Sequence, residues 1–141
     1  VMGRGTKLKF EKGLCSNNGG GEANSPMQNG IAVASGGFAE LKGVTVSDNK
    51  GDGILVAVGS VVWARGVTVK GNGKWGVKVE EGEAGKIPAG ELRHSGSSFN
   101  GNVEGPVTGP HIAEGGLLPS LLLASALLAG CYVVYRTVQK K

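Results

Sequence analysis

Residues 48–53 read Asp48-Asn49-Lys50-Gly51-Asp52-Gly53 and hold the chain's only two aspartates. Acids, an amide and glycines in close order suggest a calcium loop, since this hard cation takes carboxylate and amide oxygens on a tightly turned backbone. Such a loop also needs an oxygen ligand at its third position and a carboxylate at its twelfth. Those positions hold Lys50 and Gly59, so no metal site is expected here. The competing reading is a turn, in which Asn bonds nearby backbone and tolerates left-handed geometry while Gly permits positive φ. The other polar candidates are weaker. Glu80, Glu81 and Glu83 crowd a glycine-containing stretch that reads as a solvated loop. His94 and His111 are separate and lack cysteine or carboxylate companions at metal-ligand spacing. Trp63 and Trp75 leave two readings open. Exposed, they suit sugar stacking, a protein hot spot or a hydrophobic cofactor; otherwise they fill the edge of a fold.

What must position these residues is a repeat. Residues 30–52, GIAVASGGFAELKGVTVSDNKGD, align with 53–75, GILVAVGSVVWARGVTVKGNGKW, with 10 of 23 positions identical. A third unit, 76–102, starts with Gly76-Val77-Lys78-Val79, is interrupted, and resumes at SSFNGN. A degenerate unit, KFEKGLCSNN, precedes the first. A fixed period in this range indicates a stacked repeat architecture, and runs such as GVTV and GILV indicate short strands. One unit then makes one coil. Ile31, Ile54 and Val77 form one interior row, and Val33, Val56 and Val79 another. Val44 with Val67, and Val46 with Val69, form two more, while Thr45 and Thr68 point outward. Asn49 and Asn72, and Gly53 and Gly76, fall at equivalent places and are expected at the coil corners. The DNKGDG stretch becomes the join between two coils.

The motif Asn-x-x-x-Gly-Ile/Val-x-Val, with Val-Thr-Val-x-x-Asn, resembles the right-handed parallel β-helix repeats of the pectate-lyase-like superfamily over about residues 8–102. The resemblance implies an all-β fold of about three to four coils, short for that superfamily, with open ends that need covering. Its polysaccharide lyases and hydrolases carry clustered acids on an exposed sheet. Here Asp48 aligns with Gly71 and Glu40 with Trp63, so no acidic row crosses the coils. Two carboxylates must face one bond to hydrolyse a glycoside. The expectation is therefore a non-catalytic chain with no catalytic residues and no intrinsic cofactor.

Composition agrees with a strand-and-turn domain. There are 27 glycines, yet 40% of residues are hydrophobic and no Gly-X-Y period exists. The net charge of +4 owes most to Arg136, Lys140 and Lys141; the remaining 12 basic residues nearly balance 11 acidic ones. The stretch from Arg4 to Lys12 reads as a solvated strand face, and no nucleic-acid partner is expected. Cys15 and Cys131 are not expected to pair, because Cys131 lies in an apolar run. A chain that starts at Val1 reads as a processed or trimmed product.

That apolar run, 117–135, reads LLPSLLLASALLAGCYVVY and contains no charge. As a helix it rises about 28 Å, close to the thickness of a bilayer's hydrocarbon core. A transmembrane helix is expected there, joined to the β-helix domain (1–102) by a Gly/Pro linker (103–116) and followed by a basic tail (136–141). Positive-inside places the tail in the cytosol, stroma or matrix and the β-helix on the lumenal or outer side; insertion as a tail anchor reverses this. Ser125 with Ala129, and Ala126 with Gly130, form a small-residue face that lets a second helix approach. Together with Trp63 and Trp75 these are the expected partner contacts. The expected partners are membrane lipid and other transmembrane subunits, with pigments or lipids beside the helix. The first functional reading is a structural or assembly subunit of a membrane complex, organellar and energy-transducing, with a thylakoid photosystem ahead of a respiratory complex. The second is a membrane-anchored adhesin or carbohydrate-binding module, and the third a degenerate polysaccharide lyase or hydrolase.

Overall fold

The computed structural model describes residues 3, 5–20, 22 and 25–113. The expected transmembrane segment and tail lie outside them, with Ser125, Ala126, Ala129 and Gly130. Among the described residues no helix is long and apolar enough to cross a membrane.

The described chain is all-β apart from one 3-10 turn at Pro26–Gln28. Its strands are β1 (Lys7–Glu11), β2 (Leu14–Ser16), β3 (Ile31–Val33), β4 (Phe38–Lys42), β5 (Thr45–Ser47) and β6 (Ile54–Val56), then β7 (Val61–Arg65), β8 (Thr68–Lys70), β9 (Trp75–Val79), β10 (Glu91–Ser95), β11 (Gly105–Thr108) and β12 (His111–Ala113). They form three sheets, ordered β1-β4-β7-β10-β12, β2-β5-β8 and β3-β6-β9-β11. Every strand pairing is parallel, and the chain visits the three sheets in turn, an arrangement compatible with a β-helix.

The interior rows sit in direct register: Ile31↔Ile54↔Val77, Val33↔Val56 and Val46↔Val69. All of these valines and isoleucines are buried, as are Val44, Val67 and Val79. Each contributes roughly 1.5–3 kcal/mol by leaving water. A further wall comes from Ala39, Leu41, Val62, Ala64 and Leu92 of the five-stranded sheet, also buried.

Successive coils differ in length. Lys7 pairs with Phe38, Phe38 with Val61 and Val61 with Glu91, offsets of 31, 23 and 30 residues. The eight extra residues of the first coil lie between Asn18 and Gly30, and the seven of the third lie between Val79 and Leu92. Both insertions fall at corners, so the strands keep their register.

The corners follow a shared plan. Lys12, Gly43, Gly66 and Gly96 each turn the chain with left-handed φ of 50–59°. Asn17, Asp48, Gly71 and Gly101 do so again one strand later, with φ of 57–76°. This corrects the expectation for the DNKGDG corner, because the left-handed residue is Asp48 and Asn49 has another task. Gly53 and Gly76 are not at positive φ either. Gly53 is glycine because a Cβ there would lie 2.3 Å from Val69 Cγ1 and 2.8 Å from Asn72 Nδ2. Gly76 stands the same way against Asn102.

Asn49 belongs to a buried amide ladder that crosses every coil. Asn18 Nδ2 donates to Asn49 Oδ1 at 2.9 Å, Asn49 Nδ2 to Asn72 Oδ1 at 2.8 Å, and Asn72 Nδ2 to Asn102 Oδ1 at 2.7 Å. Each Oδ1 also accepts the backbone N–H of the asparagine one coil earlier, at 3.0–3.1 Å. The second amide hydrogen goes to a strand carbonyl: Cys15 for Asn49, Lys70 for Asn72 and Val69 for Asn102. Asn49 and Asn72 are almost wholly buried, so these bonds replace those that water would make.

The expected linker is also corrected. Within 103–116, β11 pairs with β9 and β12 with β10, so the sheets run past residue 102. Pro106 is tolerated because β11 is an edge strand, where one side of the backbone needs no partner.

Four substitutions test this account by urea denaturation. Asn72→Ala strands the amide of Asn49 and the oxygen of Asn102, and it should lose at least about 3 kcal/mol. Asn100→Ala, on the exposed side of the same corner, should stay within about 0.5 kcal/mol. Gly66→Ala meets open space and should cost only the left-handed penalty of about 1 kcal/mol. Gly53→Ala should cost about 2 kcal/mol or more by overpacking alone.

Candidate functional site

With the interior given to valines and amides, any binding must use outward positions. Two outer surfaces concentrate polar or aromatic groups.

The first is a groove of about 360 Å³ beside the four-stranded sheet, with Asn29, Asp52, Lys74, Lys78 and Glu80 among its lining. A second polar row crosses it at the repeat spacing. Asn29 Oδ1 accepts the Asp52 N–H at 2.8 Å, and Asp52 Oδ1 accepts the Trp75 N–H at 3.1 Å. Trp75 ends the row, having no side-chain acceptor. Its half-buried ring lies instead over Gly105, where a Cβ would come within 2.6 Å of Cζ3. Burial pushes the Asp52 carboxyl above its ordinary value, outweighing the Trp75 N–H, Lys78 and Lys74, which favour the charged form. Asp52 therefore braces the next coil, and the flanking ammonium groups disfavour a cation beside it. Among the described residues no three His, Cys, Asp or Glu side chains converge as a metal site.

The second surface is the outer face of the five-stranded sheet. Alternation buries Val62 and Ala64 and turns Trp63 outward, 37% exposed. Trp63 is in register with Glu40 on one side and Arg93 on the other. Phe38 meets its ring edge to face at 5.2 Å between centroids, and the Arg93 guanidinium lies 6.0 Å over it. Glu91 holds Arg93 through Nε, and Lys9 pairs with Glu11 at 3.3 Å on the same face. Trp63 thus stands in a small stack fixed by both neighbouring coils, surrounded by charge.

The remaining singled-out residues are placed as follows. Thr45 and Thr68 are register partners and half-buried. Asp48 is exposed at its corner. Glu83 faces Ile87 across an isolated antiparallel bridge in the second insertion and pairs with Lys86 at 2.6 Å. The histidines, separate in sequence, are brought together: His94 and His111 stack at 5.8 Å, and His94 meets Phe99 edge-on at 5.0 Å. Cys15 occupies the interior row below Val46, and burial raises its thiol pKa, the direction of an unreactive thiol. Sequence reasoning missed Asn18, Asn29, Asn102, Phe38 and Arg93. The ladder had a signal: Cys15, Val46, Val69 and Phe99 each precede their asparagine by three positions.

Searches against protein-family models, curated proteins and solved structures found no match.

Asp52 supplies a pH test. A folded carboxyl above the ordinary 3.8 binds its proton more readily than the unfolded chain does, so this stability contribution falls as pH rises above that value. Asp52→Asn keeps an acceptor for Trp75 and should raise the melting temperature at pH 7, with the gain vanishing below pH 3.8. Calcium at millimolar concentration should leave the melting temperature of the natural chain unchanged.

Proposed function

We propose that the chain is a non-catalytic assembly subunit. In this reading a short right-handed parallel β-helix, of the pectate-lyase-like kind, is held at a membrane by residues 117–135 and presents its five-stranded sheet to a partner protein. The observation that carries it is the Phe38–Trp63–Arg93 stack on a face that otherwise carries many charged side chains. Trp and Arg dominate protein hot spots because they bury large area while keeping specific polar contacts. Burial of the ring's neighbours and ties to both adjacent coils preorganise the stack, which lowers the entropy lost on docking. The amide ladder and its packed glycines favour a rigid platform over a moving catalytic cleft. An organellar energy-transducing complex remains the assembly to examine first, with the small-residue helix face as its membrane contact.

A second reading, a glycan-binding module, draws on the exposure of Trp63. The guanidinium over the ring occupies a face that a sugar would stack on, which ranks this reading second.

Native electrophoresis of membranes that express the full chain tests the proposal. The chain should co-migrate with one complex in fixed stoichiometry. A Phe38→Ala/Trp63→Ala double variant should lose about 2 kcal/mol or more of that association while the isolated chain keeps its fold. Migration of the natural chain as a free monomer that binds a glycan array would establish the second reading instead.

A further inference from the structure

Next to Trp63, between β7 and β10, lies a notch of about 140 Å³ lined by Trp63, Ala64, Arg65, Arg93, His94 and Ser95. We propose that it binds a tetrahedral oxyanion ester, a phosphate or sulfate group carried on a small organic fragment. The strand register builds the site. Trp63 is paired with Arg93 and Arg65 with Ser95, while Ala64 and Leu92 turn inward, so the four outward side chains form a quadrilateral. Its edges are about 4.8 Å across strands and about 6.8 Å along them, a span two guanidinium forks can close around one oxyanion.

The chemistry is complementary at each corner. Arg65 is exposed and makes no ion pair among the described residues. Lys42, its register partner on the other side, is exposed as well and adds positive charge. Glu91 engages Arg93 at Nε, which fixes the guanidinium plane beside the ring. Ser95 adds a hydroxyl donor. With the guanidinium over one face of the indole, the part of the ring left exposed offers a smaller apolar contact, which an inorganic ion would not use and an ester's carbon portion would. The approach is open. Gly66 and Gly96 form the adjoining corner, and at neither would a Cβ find any atom within 4 Å.

The full chain in detergent, titrated calorimetrically at constant ionic strength, tests this. Inorganic phosphate should bind saturably at one site, and phenyl phosphate should bind more tightly. Arg65→Gln and Arg93→Gln should each weaken both by about tenfold or more, with circular dichroism unchanged. Lys70→Gln, exposed on a different sheet, should weaken neither. Non-saturable binding, or equal weakening by Lys70→Gln, overturns the proposal. Two competitors then identify the source of the ester. Displacement of phenyl phosphate by phosphatidate-containing phosphatidylcholine vesicles assigns a lipid headgroup. Displacement by glucose 6-phosphate but not by the vesicles assigns a soluble monoester, and displacement by neither overturns the proposal. Because the titration uses the isolated chain, its failure is separable from failure to co-migrate with a complex.

Discussion

A buried primary amide is tolerated only when all of its donors and its acceptor are met, and among the described residues most of the groups that meet them here lie in the neighbouring coils. Asn18, Asn49, Asn72 and Asn102 therefore hold one another in place, the oxygens of Asn49, Asn72 and Asn102 each taking two N–H groups from the asparagine before it. Such chains polarise one another, and a gap in one exposes the next to an uncompensated burial. Much else follows from this. Gly30, Gly53 and Gly76 are glycines because the amides of Asn49, Asn72 and Asn102 sit within 2.6–2.8 Å of where their Cβ atoms would be. The residue before each amide is left-handed because the chain must turn sharply to send the side chain inward.

The ladder also explains why unequal coils stack. Offsets of 31 and 30 residues flank one of 23, and the added lengths fall where neither a ladder amide nor an inner valine is displaced. The first insertion follows Asn18 and the second follows Val79, each at a corner between sheets. Strand pairing and amide pairing impose the same register, so a slip in one would break the other.

Much of the parallel-sheet plan was legible from Ile31, Val33, Val44 and Val46 and their partners a period later, because identical stacked positions must repeat an apolar type. Asn49 and Asn72 were visible for the same reason, but their purpose was not. Sequence spacing registers a conserved period without saying whether a side chain points at its own backbone or at the next coil. Asn18 and Asn102 were hidden by the insertions, which shift them off the 23-residue frame. The five-stranded sheet was the least legible. Phe38–Lys42 and Val61–Arg65 share no identical residue, since the buried positions ask only for Ala, Leu or Val and the outer ones are free to differ. That freedom is also why the aromatic stack and the basic notch could not be read as a motif. His94 and His111 were unreadable as a pair because only the winding joins them.

The middle coil has a further property. Residues 53–75 begin at a packed glycine and end just before the next, and the pairings of β6 and β7 and the ladder amide with the preceding coil match those they make with the following coil. The segment is thus a self-compatible cassette. A tandem duplication of these 23 residues would offer each copy an amide to receive, an amide to give and a glycine notch of the right depth. Lengthening by recombination needs no new turn, whereas shortening by any other number of residues requires a compensating change at a corner. The fold's length is therefore a matter of copy number, and its outer face can diversify one coil at a time.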